Sequence, residues 1–312
     1  MAPAAGLWAD DPAAGSPEHT SVGSYTPTVS TLPPGWAEAN RRMWDERAAV
    51  HVRSGYYDVA AFKAGRPAVE PFEVDELGPL GGLRLAHLQC HLGLDTMDLV
   101  RMHPGLEAVG LDFSAPAIEH AAALAAELEL DGRARFVHGT VEGAASVLGA
   151  GSFDVVYTGK GALCWLPDLR RWANECAGLL RPGGWLYVCE FHPVADCLDR
   201  SEPRVSCDYF DTGAIALDDP GSYADRDAPT EHNLRYEWHH PLPQLFDAIL
   251  GAGLELRFFH EWDHTLFNQL AWLERGDDGR YRWPGGPGGG RLPLMYSLKA
   301  QKPEAEPSGA RP

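Results

Sequence analysis

The chain has no apolar run approaching the roughly 18–20 residues that a membrane-spanning helix needs, so no such helix is expected. It is also short of positive charge: 26 Lys+Arg stand against 44 Asp+Glu, a formal net charge of −18. Affinity for nucleic-acid phosphate comes from Lys and Arg displacing counterions, so the charge argues against DNA or RNA as the main partner. An anionic membrane surface is disfavoured for the same reason. Cationic or neutral small molecules remain open. The N-terminal stretch lacks a basic n-region and an apolar h-region, and no secretory signal is expected there. Six cysteines stand at 90, 164, 176, 189, 197 and 207, and no two form a Cys-x-x-Cys pair. Reduced thiols in a cytoplasmic protein are preferred to a disulfide framework. The Gly-rich run at 285–290 is not followed by the Lys-Ser/Thr of a phosphate loop.

What is present suffices for a folded enzyme-sized domain. Hydrophobic residues make up 45% of the 312 and charged residues 22%. Residues 1–33, rich in Ala, Pro, Ser, Gly and Thr, read as a flexible arm, and 303–312 as a similar tail. Between 36 and 62, the spacing of Trp44, Ala48, Val52, Val59 and Phe62 predicts one or two amphipathic helices, broken near Ser54-Gly55. From residue 83 short apolar strands alternate with helices. Strands are expected at 83–88, 106–111, 135–138, 153–157 and 185–191, and helices at 96–102, 115–128 and 169–180. That alternation is the mark of a parallel sheet covered on both faces. A helix at 242–250 and closing strands at 254–259 and 292–298 follow. Residues 197–238 break the rhythm and carry Tyr209, Tyr223, Tyr236 and Trp238 among many acids; so long an insertion reads as a lid or binding element, or else as a disordered segment.

Ligands of open α/β sheets bind beyond the carboxyl ends of the strands, so the residues just after each strand matter most. The first strand is followed by Gln89-Cys90-His91-Leu92-Gly93-Leu94-Asp95-Thr96, where Gly93 alone remains of a glycine-rich turn. Asp112 follows Gly93 by 19 residues, close to the roughly 20 expected for a carboxylate on ribose hydroxyls. Asp112 also suits a helix N-cap, although Ser114, with Pro116 behind it, takes that role as well. The spacing by itself points to an α/β protein with a nucleoside cofactor.

These residues carry a resemblance. Residues 83–192 resemble a class I S-adenosylmethionine-dependent methyltransferase, of the subfamily whose first motif reads Leu-Gln-Cys-His-x-Gly-x-Asp-Thr. Here it is Leu88-Gln89-Cys90-His91-Leu92-Gly93-Leu94-Asp95-Thr96. Gly110-Leu111-Asp112-Phe113-Ser114, Phe153-Asp154-Val155-Val156-Tyr157-Thr158 and Leu179-Leu180-Arg181-Pro182-Gly183-Gly184 match the later motifs in order and spacing. The resemblance implies a Rossmann-like class I methyltransferase α/β sheet at 81–302, a helical N-terminal cap at 34–80, and a lid inserted after strand five at about 197–240. It implies S-adenosylmethionine as cofactor and a small-molecule acceptor methylated at nitrogen or oxygen. Gln89, His91 and Gly93 would line the methionine moiety, with Thr96 at the helix N-terminus. Asp112 would hold the ribose, Phe113 would cover the adenine, and Thr140 and Val141 would edge it. Thr158 would stand near the reacting sulfonium, and the cap residues Trp44, His51 and Tyr57 would close over the cofactor. The family's acid two positions before the first glycine is His87 here, and the adenine-binding Asp is Thr140. Gln89 and His91 put side chains where glycine leaves room for the cofactor.

Methyl transfer needs alignment more than acid–base chemistry. If a base acts, His192 and then Glu190 are the candidates, both following strand five; both also suit structural hydrogen bonds under the lid. The lid tyrosines and tryptophan, with Asp208, Asp211, Asp218 and Asp219, favour a cationic or amine acceptor. His260, Glu261, Asp263 and His264 resemble metal ligands in spacing but lack a third well-placed partner, and no metal is expected. The thiols Cys164, Cys189 and Cys207 would suit a soft-metalloid substrate only if folding unites them, and inert buried cysteine is preferred. Two alternatives stand: an S-adenosylmethionine-binding protein without turnover, and a nicotinamide-linked oxidoreductase, whose phosphate approach Gln89 and His91 obstruct. Thr158-Gly159-Lys160-Gly161 stands where a nucleic-acid methyltransferase would carry Asn/Asp-Pro-Pro-Tyr/Phe. Neither the acceptor nor the oligomeric state is legible.

Overall fold

The computed structural model describes residues 32–284 and 290–305. The expected arm, apart from Leu32 and Pro33, lies outside the described residues. So do 285–289 of the Gly-rich run and the tail beyond residue 305.

Three helices precede the sheet: α1 (Trp36–Arg53), α2 (Val59–Lys63) and α3 (Pro71–Leu77). The sequence pattern predicts the first two and misses the third, which Pro71 starts while Glu73 Oε2 accepts the Glu70 N–H at 3.1 Å. There follow β1 (Arg84–Leu88), α4 (Leu94–Met102), β2 (Glu107–Asp112), α5 (Ala115–Glu127), β3 (Ala134–His138), α6 (Ala144–Leu148) and β4 (Phe153–Gly159). After a short 3-10 turn at Leu163–Trp165 come α7 (Leu169–Leu179), β5 (Leu180–Phe191) and α8 (Pro193–Asp196). The lid holds the antiparallel hairpin β6 (Ala214–Asp218) and β7 (Leu234–Trp238). The chain ends with α9 (Leu242–Gly251), β8 (Glu255–Trp262), the short strands β9 (His264–Thr265), β10 (Glu274–Arg275) and β11 (Tyr281–Arg282), and β12 (Met295–Gln301).

The central sheet has seven strands in the order β3-β2-β1-β4-β5-β12-β8. The first five are parallel, and β12 runs antiparallel to both its neighbours. Its strands are apolar on both faces, as burial under helices on each side requires: β4 buries Phe153, Val155, Val156 and Tyr157 almost completely. The strand order reverses between β1 and β4, so the carboxyl ends of β1, β2, β4 and β5 border the switch point where ligands of such sheets bind. Strand β5 begins at Leu180 and takes in Arg181-Pro182-Gly183-Gly184, which the sequence reads as a turn. The β4–β5 register shifts between Phe153 and Val155, so those residues are absorbed as an irregularity of the strand.

Gly93 shows why one glycine of the first motif is indispensable. Its φ is +69°, and a Cβ there would lie 2.2 Å from the Phe136 ring and 3.2 Å from Ala121 Cβ. Gly93→Ala combines a left-handed alanine with overpacking and is expected to cost about 2–4 kcal/mol. Urea unfolding measures it, and Phe136→Leu in the same chain is expected to return part of the loss. A cost below about 1 kcal/mol would mean that Phe136 moves aside freely.

Candidate active site

The turn after β1 keeps the backbone of a glycine-rich loop without its glycines. Gln89 (φ 57°), His91 (φ 49°) and Gly93 (φ 69°) are all left-handed. Each non-glycine residue there costs roughly 1–2 kcal/mol, which the surrounding contacts offset. The Gln89 side chain crosses to the loop after β4, where Nε2 donates to Ala162 O at 2.8 Å. The His91 ring rises into the cap, with its Nε2 at 2.7 Å from His51 Nδ1. The crowding expected at these two positions is therefore corrected: the side chains are directed into neighbouring layers and the turn retains its path.

Asp112 ends β2 and is 6% exposed. Its Oδ2 accepts the His91 N–H and its Oδ1 the Ser114 N–H, each at 2.9 Å. Burial raises its pKa to about 6, against the pull of those two N–H donors. Ser114 caps α5 through Ala117 N–H, so carboxylate and cap divide the work as the sequence suggests.

The cap helix α1 lies over this turn. Its Trp44 meets the rings of His91 and Trp165 edge-on, each at 5.1 Å between centroids. His51 is fully buried, and its Nε2 lies 2.6 Å from Ser222 Oγ in the lid. The Tyr57 and Tyr223 hydroxyls hydrogen-bond one another. Cap, first-motif turn and lid thus share one cluster. Both histidines are neutral: burial lowers the pKa of His51 to about 2 and that of His91 to about 3. The lid also docks on α1 through buried Asn40, whose Nδ2 donates to Tyr236 O at 2.8 Å and whose Oδ1 accepts the Tyr236 N–H at 2.7 Å. Arg47 Nη1 adds a bond to His232 O at 2.7 Å.

Three buried polar atoms around the turn have no hydrogen-bond partner among the described residues: Gln89 Oε1, Asp45 Oδ1 and Trp44 Nε1. Buried groups of this kind normally find one, so they mark a place suited to a polar ligand.

The remaining expected residues divide. Phe113 is partly exposed beside Asp112, and Thr140 is exposed, its hydroxyl donating to Glu142 O at 2.9 Å. Val141 is buried in the core beside Leu111. Thr96 and Thr158 are fully buried and face other partners: Thr96 Oγ1 lies 2.8 Å from His87 Nδ1, and Thr158 Oγ1 accepts from Trp172 Nε1 at 3.3 Å. Both are thereby corrected to supporting positions behind the site. Thr158 and Gly159 also lie within β4, one step before the loop that the sequence assigns them to.

Both candidate bases make structural hydrogen bonds, the alternative the sequence also allowed. Glu190 is 4% exposed and accepts four backbone N–H groups: Gly161 and Ala162 at 2.6 Å, Leu163 at 3.0 Å and Phe191 at 3.1 Å. It organises the loop after β4 and has no lone pair left in a position to act as a base. His192 caps α8, its Nδ1 accepting Val194 N–H at 3.1 Å, with Nε2 at 3.1 Å from Glu261 Oε1. The ring is neutral, burial lowering its pKa, and it is buried away from the cavity described next.

A cavity of about 680 Å³ lies beside the 161–165 loop. Its wall includes Trp44 from the cap, Gly161 and Trp165 after β4, Glu190 from β5, and Trp238 from the 197–240 insertion. Gln89, His91 and Asp112 are not among its lining residues; Trp44, which meets the His91 ring, is. His239 and His240 both reach the wall; His240 is held by Gln244 Oε1 and Leu166 O, each at 2.8 Å. Cys164 lines the cavity while Cys189 is buried in the core and Cys207 stands on the wall, and all six thiols are free. Among the described residues no group of three or more His, Cys, Asp or Glu is placed to hold a metal. Sequence reasoning missed Asp45, Ser222 and the buried group of Glu73, Tyr157 and Lys160. Only the last had a signal, an unexplained Lys160 directly after a strand.

Residues 86–186 match a family model described as a methyltransferase domain. The chain is 34% identical over 137 residues to nocamycin O-methyltransferase of Saccharothrix syringae, a stretch covering 42% of this chain and 45% of that protein. The chain thus spans under half the length of that relative. Among solved structures, geranyl diphosphate C-methyltransferase of Streptomyces coelicolor A3(2), crystallised with S-adenosyl-L-homocysteine, aligns with a TM-score of 0.54 at 15% identity, over 88% of this chain and 99% of that one. An S-adenosylmethionine-dependent methyltransferase of Mesorhizobium loti aligns with a TM-score of 0.53 at 18% identity, over 74% and 96%. At such identities these two establish the fold, and the Rossmann-like methyltransferase sheet expected from the sequence is the sheet observed. No helix among the described residues is long and apolar enough to cross a membrane.

Proposed function

We propose that this chain, whose residues 86–186 match a methyltransferase-domain model and lie on a Rossmann-like sheet, transfers a methyl group from S-adenosylmethionine to a nitrogen or oxygen of a small molecule. The observation that supports the reading is a cluster of buried polar groups at the switch point beside a cavity that shares Trp44 with it. On one side Asp112 and the unpartnered Gln89 Oε1, Asp45 Oδ1 and Trp44 Nε1 suit a ligand bearing an ammonium, ribose hydroxyls and a carboxylate. On the other lies a cavity of about 680 Å³, large enough for a small acceptor.

Bound there, S-adenosylmethionine supplies a methyl group activated by its sulfonium. The chain's own residues hold and align. Asp112 would take the ribose, Gln89 and the turn to Gly93 the methionine end, and Phe113, Thr140 and Val141 the adenine. Glu190 acts as scaffold: its four N–H bonds fix the 161–163 backbone beside the cavity. That rigidity is what an in-line displacement needs, since alignment is worth up to about 7–11 kcal/mol. The cap and lid, joined through His51, Ser222, Tyr57 and Tyr223, exclude water from the reacting centre. The enclosing acids and the aromatic wall favour a cationic acceptor. The similarity to an O-methyltransferase supports a hydroxyl as one site of methylation. The small size of the cavity and the net charge of −18 speak for a soluble small molecule over nucleic acid.

Calorimetric titration tests the reading. S-adenosylmethionine is expected to bind in the micromolar range and NADH to give no heat. NADH binding without S-adenosylmethionine binding would replace methyl transfer by hydride transfer.

A further inference from the structure

The wall of the acceptor cavity carries several carboxylates, and all but one are engaged. Glu190 is saturated by four backbone N–H groups. Glu237 accepts Arg235 Nε at 2.8 Å, and Asp219 accepts Arg235 Nη2 at 3.2 Å. Asp208 and Asp211 close their own turns onto Phe210 and Gly213 N–H, each at 2.9 Å. Asp196, at the end of α8, lines the cavity and its carboxylate has no hydrogen-bond partner among the described residues. A second group points the same way. Tyr296 pairs with Glu190 across β5 and β12, is 4% exposed, and lines the cavity with a hydroxyl that likewise lacks a partner among the described residues. Trp44, Trp165 and Trp238 complete an aromatic wall.

Resting on the methyl-transfer reading, we propose that Asp196 anchors a cationic nitrogen of the acceptor, seated against the tryptophan wall, with the Tyr296 hydroxyl taking a second polar group of the same molecule. Ring quadrupoles and an unpaired carboxylate both favour a cation. The methylated atom is then a hydroxyl or a second, neutral nitrogen of the same molecule, because the anchored ammonium has no lone pair to attack the methyl group; the proton that the methylated atom gives up passes to solvent.

The charges facing Asp196 support this. Asp196 is itself an exposed residue; the protein packed around its carboxylate, then Glu237 of β7 and Glu190 of β5, push its pKa up to about 7. Arg200, an exposed residue of the lid, opposes it. Arg226 is the other unpaired guanidinium on the wall and is also exposed. His239 stays neutral above pH 6.5, since burial lowers its pKa, and the buried Cys164 and Tyr296 stay protonated. A bound cation favours the charged carboxylate, so its affinity is highest above pH 7 and declines as Asp196 takes up a proton.

The test uses the full chain and two probes of similar size, benzyltrimethylammonium and benzyl alcohol, read by tryptophan fluorescence. The ammonium is expected to bind at least about tenfold more tightly than the alcohol at pH 8 and to weaken several-fold at pH 6. Asp196→Asn, nearly isosteric at an accessible position, is expected to lose about tenfold for the ammonium and its pH dependence. S-adenosylhomocysteine affinity, measured in parallel, is expected to be unchanged by it. No ammonium binding, equal binding of the alcohol, or an unaffected Asp196→Asn overturns the proposal. If Asp196 binds the ammonium but S-adenosylhomocysteine does not bind, the cation site stands and methyl transfer falls.

Discussion

Asp112→Ala is expected to weaken S-adenosylhomocysteine binding by about 100-fold or more, because hydrogen bonds from ligand hydroxyls to a carboxylate contribute about 1.5–3 kcal/mol each. The side chain acts twice. It also accepts the N–H groups of His91 and Ser114, which set the first-motif turn and the start of α5. Alanine leaves both donors short of a partner, at about 1–3 kcal/mol of stability for each that stays buried. The two effects separate in Asp112→Asn. One amide oxygen still accepts an N–H, while the amide NH₂ meets the other donor head-on. Calorimetry gives the affinity and thermal unfolding the stability. Affinity within threefold of wild type in a folded Asp112→Ala chain would remove Asp112 from the cofactor site, and with it the best-supported residue assignment.

How far the sequence reveals this molecule depends on which force shapes each part. The parallel sheet is legible because its strands bury both faces and read as short apolar runs, such as 106–111 and 153–157. The cap is half legible. Trp44, Ala48 and Val52 suggest an apolar stripe, yet the buried face of α1 is Asn40, Met43, Arg47, Ala48, Val50 and His51. Its polar members are satisfied by the lid, nearly 200 residues away in sequence, and no local pattern announces that (Asn40 and Tyr236 are 196 apart).

The site follows the same division. Asp112 and Gly93 are singled out by spacing, since the turn and the switch point dictate it. Glu190 and His192 are placed at the end of β5 by the sequence, which allows a base or a structural hydrogen-bonding role for each. Position alone does not show that four N–H groups occupy the one, or that Nδ1 of the other caps a helix. Gln89 and His91 look like obstacles as letters. In space, a left-handed backbone aims them at Ala162 and His51. Each case concerns where a side chain goes, and that is decided by contacts distant in sequence.

Glu73→Ala is expected to lower stability by about 3–5 kcal/mol, the range for removing one member of a buried ion pair. Glu73 is fully buried on α3. Its Oε2 accepts Lys160 Nζ at 2.8 Å, and its Oε1 accepts the Tyr157 hydroxyl at 2.6 Å. Lys160 stands just after β4 with a φ of 54°, and Asp95 of α4 lies 3.5 Å from its ammonium. Burial raises the Asp95 pKa to about 6, against the attraction of Lys160, so Asp95 is an incomplete substitute. Without Glu73 the lysine keeps one partner in a site with little water, and the tyrosine loses its acceptor. The melting temperature is expected to fall by roughly 10 °C, at about 2–4 °C per kcal/mol for a domain of this size. The group also ties the cap to the carboxyl edge of the sheet, so cofactor affinity is expected to decline with it. Replacing all three polar members together, as Glu73→Leu, Lys160→Met and Tyr157→Phe, removes the uncompensated charge and is expected to recover much of the stability. It is not expected to recover the affinity if the lysine's own charge contributes to the site. A single Glu73→Ala costing under about 1 kcal/mol would show that Lys160 reaches water unaided, and that the cap is held to the sheet by its apolar contacts alone.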